Sequence, residues 1–263
     1  MMKIAVLLKM APDVVEELEI AASGKSLDFK SLRMAPNESD EHAVEEALLL
    51  KERFGAKVIV VALEAPEVDE ALFGALANGA DRAIKITGLR ENLTTAEEAD
   101  VFTRVVRGEI GAIPDLILTG VQAIDDLDGL IGPLIACELG LPFLGVVVGL
   151  SPCPDGAGMV ALKECPGGVR AEFDVTPPAV LGIQAAERPP RYVPLAKLQA
   201  AAHTKKIELV PVPLPTDPVN PLIEVLRMRR RAPAARAEML SGSVEEIAGR
   251  LCEVLAGQDL IEE

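Results

Sequence analysis

Short apolar runs alternate with helical patterns through the first 140 residues, and that alternation leaves the chain few ways to fold. Ile4-Ala5-Val6-Leu7-Leu8 is apolar at every position and is ended by Lys9 and a Pro12-Asp13 turn signal, as a strand buried on both faces requires. A helix is predicted over about 39–54, where Asn37, Ser39 or Asp40 can cap its free amides and acidic residues crowd its first turns. A strand over Lys57–Leu63, a helix over Val68–Asn78 and a short strand over 82–86 follow. Thr94 with Glu97, and Thr95 with Glu98, both fit a capping box that opens a helix running through Arg107. A strand over 115–119 then runs into Gly120, and a helix from about 129 to 139 completes the set. Strand and helix taken in turn imply right-handed crossovers, so the expected fold is α/β, a doubly wound and mostly parallel sheet. Ligands of such sheets lie beyond the carboxyl ends of the strands near a topological switch point, which directs attention to the loops after Leu8, Val61 and Thr119.

From Pro142 the pattern changes to apolar runs at 143–150, 159–164, 169–175 and 179–184 separated by Gly and Pro turns, read as strands, some antiparallel, that extend the same sheet. Beyond Glu187 come Pro189-Pro190 and then five prolines between Pro211 and Pro221. Proline at that density removes amide donors and holds the chain extended, so this stretch reads as a linker or arm. Ser243-Val244-Glu245-Glu246 is a capping box for a last helix with Ile247, Leu251, Val254 and Leu255 on one face, ending at Gly257. A lone amphipathic helix needs something to pack on, its own body or a partner.

Net charge of -15 argues against a nucleic-acid binder, because a phosphate backbone is gripped by Lys and Arg. The charge is uneven: 11 basic and 10 acidic residues stand from Arg188 onward, 15 and 31 before it, which implies two surfaces with different partners. With no Trp and one Tyr, base stacking on an aromatic platform is not expected. Cys137, Cys153, Cys165 and Cys252 lack CxxC spacing and have only His42 and His203 to join them, so they read as reduced packing thiols and no metal site is expected. No apolar run reaches membrane-spanning length, and the start lacks a signal-peptide cleavage region, so a cytoplasmic or equivalent reducing compartment is expected.

A Gly-x-Gly-x-x-Gly after the first strand, a phosphate-binding Walker sequence and a Gly-x-Ser-x-Gly elbow are all missing. Asp125, Asp126 and Asp128 read as capping residues for the helix that follows rather than as a metal or acid–base cluster.

Five strings carry more than these patterns: VLLKMAPD at 6–13, NESDEHAVEEALLLKE at 37–52, ALANGADRAIKI at 75–86, DLILTGVQAID at 115–125 and PPRYVPLAKLQAA at 189–201 with Lys205-Lys206. Together, in this order and spacing, they resemble the beta subunits of electron transfer flavoproteins over nearly the whole length. The resemblance implies a Rossmann-like, adenine-nucleotide-binding type of fold in an electron carrier rather than an enzyme. It implies an obligate heterodimer whose alpha subunit holds most of a redox FAD, while the beta subunit offers a docking surface for flavin dehydrogenases and a buried, structural AMP. In bifurcating relatives a second FAD takes the AMP position.

Three segments follow from it: a nucleotide-binding domain over 1–187, a recognition loop and helix over 188–206, and a proline-rich arm with a C-terminal helix over 207–263 that packs on the alpha subunit. Leu7, Lys9, Asn37, Leu63, Gly120 and Gln122 match nucleotide-contacting positions, with Asp125, Gly129, Leu130 and Ile131 completing the pocket. Leu7 and Leu63 would act through main-chain groups, or else simply pack in the core. At 127–131 relatives carry polar Thr, Asn or Gln that can bond a phosphate, where this chain has Leu127, Asp128, Gly129, Leu130 and Ile131. Amides at a helix start still bind anions, but Asp128 would compete for them. Tyr192 and Leu195 match the partner-docking loop, with Leu195 as an exposed anchor, the alternative being a core Leu that opens a helix. Two other functions stay open: a stand-alone adenine-nucleotide enzyme or sensor of related fold, and a structural subunit that has lost its nucleotide.

Overall fold

A computed structural model describes residues 1–29, 32–90, 93–125, 127–153, 158–213, 223–230, 237, 239–258 and 260. The chain divides into two compact units, Met1–Met228 and Arg229–Glu263.

The first unit is built on a nine-stranded sheet. Its strands are β1 (Lys3–Leu8), β4 (Lys57–Leu63), β5 (Arg82–Thr87), β6 (Leu116–Gly120), β7 (Phe143–Pro152), β8 (Met159–Cys165), β9 (Val169–Val175), β10 (Ala179–Ile183) and β11 (Glu208–Pro211). β2 (Met10–Pro12) and β3 (Met34–Pro36) form a separate antiparallel ribbon. The order across the sheet is β11-β5-β4-β1-β6-β10-β7-β8-β9, parallel up to β7 and antiparallel from β7 through β9. This is the expected doubly wound α/β fold with its antiparallel extension. Winding goes outward from β1 to β4 and β5, then returns to β6 on the other side of β1, so the switch point lies between β1 and β6.

Side chains alternate across the sheet and divide the core in two. Ile4, Val6 and Leu8 of β1 join Val58 and Val60 of β4 and Leu118 of β6 under α1 (Glu38–Phe54) and α2 (Val68–Asn78). Ala5 and Leu7 join Ile59, Val61 and Ile117 on the opposite face, under α3 (Thr95–Gly108) and α4 (Ile131–Leu139). Thr94 and Glu97 cap α3 reciprocally, as their spacing requires.

Three local expectations are corrected. The expected arm begins with an edge strand, because Glu208–Pro211 pairs in parallel with β5 and Glu208 takes Arg82 Nε and Nη2 at 2.8 and 2.7 Å. Pro211 is tolerated at that edge, and Val212 behind it is buried. The later prolines, Pro215, Pro218 and Pro221, lie outside the described residues. α4 starts at Ile131 rather than 129, since the Asp128 carboxylate takes the Leu130 amide at 3.0 Å and leaves Leu130 as the boundary residue. Asn37 stands at the N-cap of α1 without a side-chain capping bond, because its amide group turns to another loop.

α5 (Leu195–Thr204) follows the Pro-Arg-Tyr segment and packs on α2. In the second unit, Ser243 and Glu246 form a complete capping box for α6 (Val244–Ala256), none of whose residues is buried.

Candidate functional site

β1 and β6 part beyond their carboxyl ends, and Asp40 in the first turn of α1 closes the gap. Its Oδ2 accepts the Lys9 amide at 2.9 Å and its Oδ1 the Gly120 amide at 2.5 Å. Burial pushes its carboxyl up to about 6, against the opposing pull of those two amides and of Asn37. Gly120 is dictated by this closeness: a Cβ there would overlap Ser39 Oγ and Asp40 Oδ1. Asn37 donates through Nδ2 to Gln122 O at 3.0 Å and Ser39 donates to the same oxygen at 3.1 Å, pinning the loop after β6 to the start of α1.

The mouth is a narrow cleft with a cavity volume of about 30 Å³, far below the range of small-molecule sites. Of the sequence-predicted residues it brings together Leu7, Lys9, Asn37, Gly120, Gln122, Gly129, Leu130 and Ile131, and adds Asp40, Phe102, Thr119 and Asp128. Leu63 does not line it and is packed in the core beside Ile86. Asp125 does not line it either, and it caps no helix. Its Oδ2 sits 3.2 Å from Lys9 Nζ, which also meets Glu98 Oε2 at 3.4 Å, all three side chains being largely buried. The Lys9 main chain is likewise engaged, with its amide on Asp40 and its carbonyl accepting Asn37 N at 2.9 Å. Asp128 does not cap α4 as expected: its Oδ1 accepts the amide of Leu130, the boundary residue ahead of the helix, and its Oδ2 the Thr95 hydroxyl at 2.6 Å. Asp126 lies outside the described residues.

A second cleft adjoins the first and shares Asn37, Val121, Gln122 and Ala123 with it. Its rim is apolar and exposed at Val14, Ile124 and Leu127. Leu127 holds φ at 55°, a left-handed conformation costing a non-glycine residue about 1–2 kcal/mol, and its side chain still stands 60% exposed. Exposed apolar side chains on a strained loop mark a surface built to be covered. His42 lines the same cleft; its Nδ1 accepts the Ala186 amide at 3.1 Å, which fixes the proton of the neutral ring on Nε2.

Tyr192 and Leu195 are 84% and 63% exposed, which excludes the core reading of Leu195. They are held out by Arg191, whose Nη2 and Nε reach the buried Glu45 of α1 at 2.6 and 2.9 Å and whose Nη1 reaches Glu52 at 2.5 Å. Bonding to Arg191 keeps Glu52 below the usual carboxylate range. Next to Glu45 in the chain, Glu46 accepts the Leu150 and Glu187 amides at 2.8 and 3.1 Å, and burial pushes its carboxyl up against those bonds.

Asp40, Glu45 and Glu46 escape a reading of the sequence for site residues. Acidic residues early in a helix look like dipole or capping groups, and the only further signal was three carboxylates on a helix whose neighbours are apolar.

Known proteins match the chain nearly end to end. The electron transfer flavoprotein domain model matches residues 27–215. The electron transfer flavoprotein subunit beta of Methylophilus methylotrophus is 32% identical over 262 residues, covering 97% of this chain and 98% of that one. The subunit of the same name from Bradyrhizobium diazoefficiens is 30% identical over 253 residues, covering 95% and 97%, and that from Bacillus subtilis (strain 168) 26% identical over 259, covering 98% of each.

Proposed function

The chain belongs to the electron transfer flavoprotein family as a beta subunit, and from that premise we propose that it is one half of a heterodimer, an electron carrier with no substrate chemistry of its own. The FAD is held mainly by an alpha subunit and supplies reversible electron uptake when bound. The observation that carries this reading is the second cleft. Its exposed Val14, Ile124 and Leu127 offer an apolar rim to a flat ring or to the chain that carries it. Ser39, His42 and Gln184 line the same cleft and can orient polar ring atoms. No acid or base is required of this chain. The Tyr192–Leu195 segment suits docking by a flavin dehydrogenase, and the exposed face of α6 suits packing on the alpha subunit.

The family also implies AMP at the switch-point cleft. Leu7, Phe102, Leu130 and Ile131 give its wall an apolar lining and Gln122 carries both a donor and an acceptor for an adenine edge, but a cavity volume of about 30 Å³ does not hold the ring unless the loop after β6 moves. The α4 end does not fit a phosphate. Asp128 already holds the Leu130 amide, and a carboxylate about 4 Å from a phosphate costs on the order of 4 kcal/mol per charge pair near a surface.

Co-expression with its alpha partner tests the main reading: a yellow heterodimer with FAD is expected on copurification. A colourless monomer that ignores the partner overturns it.

A further inference from the structure

We infer, on the reading of the chain as a beta subunit, that Asp128 stands in for the AMP that the family implies, so that the subunit folds and pairs with no nucleotide at the switch point. Three observations carry it. The switch-point cleft has a cavity volume of about 30 Å³, room for about one water, where small-molecule sites span roughly 300–1,000 Å³. The loop after β6 that bounds it is tied along its length by the chain's own groups. Gln122 O accepts Asn37 Nδ2 at 3.0 Å and Ser39 Oγ at 3.1 Å, Asp125 meets Lys9 Nζ at 3.2 Å, and the Leu127 amide donates to Ala123 O at 2.9 Å. Gly129 folds the loop back on its own start, since a Cβ there would lie 2.7 Å from Val121 O. To widen the cleft is to break these bonds together with a largely buried ion pair. The third observation is charge. Asp128 Oδ1 accepts the Leu130 amide at 3.0 Å and its Oδ2 the Thr95 hydroxyl at 2.6 Å, so a carboxylate of the chain itself joins the first residue of α3 to the approach of α4, where a phosphate would bind. Lys9, the one cation among the described lining residues, is already committed to Asp125 and Glu98.

The test begins with the purified protein, paired with its alpha subunit and loaded with FAD. Acid extraction in the cold followed by chromatography is expected to release FAD and no AMP. After urea unfolding and removal of all nucleotides, refolding with FAD alone should restore as much yellow heterodimer as refolding with FAD and AMP together. AMP at about 1 mM should leave the midpoint of thermal unfolding in place. Asp128→Ala should lower that midpoint by about 5 °C, and Thr95→Val should add little once the carboxylate is gone. Stoichiometric AMP or a second FAD in the extract, or a refolding yield that depends on AMP, overturns the inference. An Asp128→Ala protein as stable as the wild type overturns the role of Asp128 in it. If no heterodimer forms, the proposed function fails, while extraction of the purified chain still decides whether a nucleotide is held.

Discussion

Asp40 joins two strands that no backbone ladder joins at that level, and its carboxyl is pushed up to about 6 by burial from an ordinary 3.8. A carboxyl raised on folding binds its proton more tightly in the native state. Its contribution to stability is therefore fully present below about pH 4 and is lost as pH rises through about 6. The shift corresponds to about 3 kcal/mol. Urea unfolding of the wild type and of Asp40→Asn across pH 4–7 should show the wild type gaining stability relative to the variant by that order as pH falls, with most of the change between pH 6 and 4; parallel curves would contradict the assignment. Little of this was legible in the sequence. An Asp in a first helical turn reads as a dipole or capping partner, and nothing local says that its two acceptors face Lys9 and Gly120, 31 and 80 residues away. The strand end at the switch point singled out the loop after Thr119, while Gly120 and Gln122 themselves were named through the resemblance. Leu63, expected to act through its main chain, has its side chain in the core and does not line the cleft.

At the level of elements, long periodic segments were readable and short ones were not. β4 and α2 begin and end where apolar run and helical spacing predict. β2 and β3, of three residues each, carry too little periodicity to be seen, and prolines disguise β11, which an edge position excuses. The loop before α5 was placed by resemblance alone; what holds it, Arg191 on Glu45 and Glu52, is a contact between segments about 140 residues apart. Leu195 is presented rather than packed, so Leu195→Ala should leave the unfolding midpoint unchanged. An apolar anchor of this size contributes about 1.5–3 kcal/mol, so the Michaelis constant of a partner dehydrogenase for the carrier should rise about 10- to 100-fold. A fall in thermal stability with unchanged dehydrogenase kinetics would return Leu195 to a structural role.

At the scale of the whole molecule, α6 is capped completely at its start, yet Leu251 and Val254 stand 48% and 58% exposed. A short helix gains little from capping alone, so this apolar face is expected to be completed by the alpha subunit. Leu251→Glu should weaken the heterodimer at least about tenfold in sedimentation analysis, without altering urea unfolding of the chain alone. Unchanged association would place the subunit contact elsewhere. α1 carries a consequence for any redesign. Asp40 fastens the sheet mouth, Glu45 the Arg191 segment and Glu46 the Leu150 and Glu187 amides, all from one rod within about 9 Å of axial rise. The hinge and the latch of the subunit are thus bolted to a common shaft, and neither can be reset without disturbing the other.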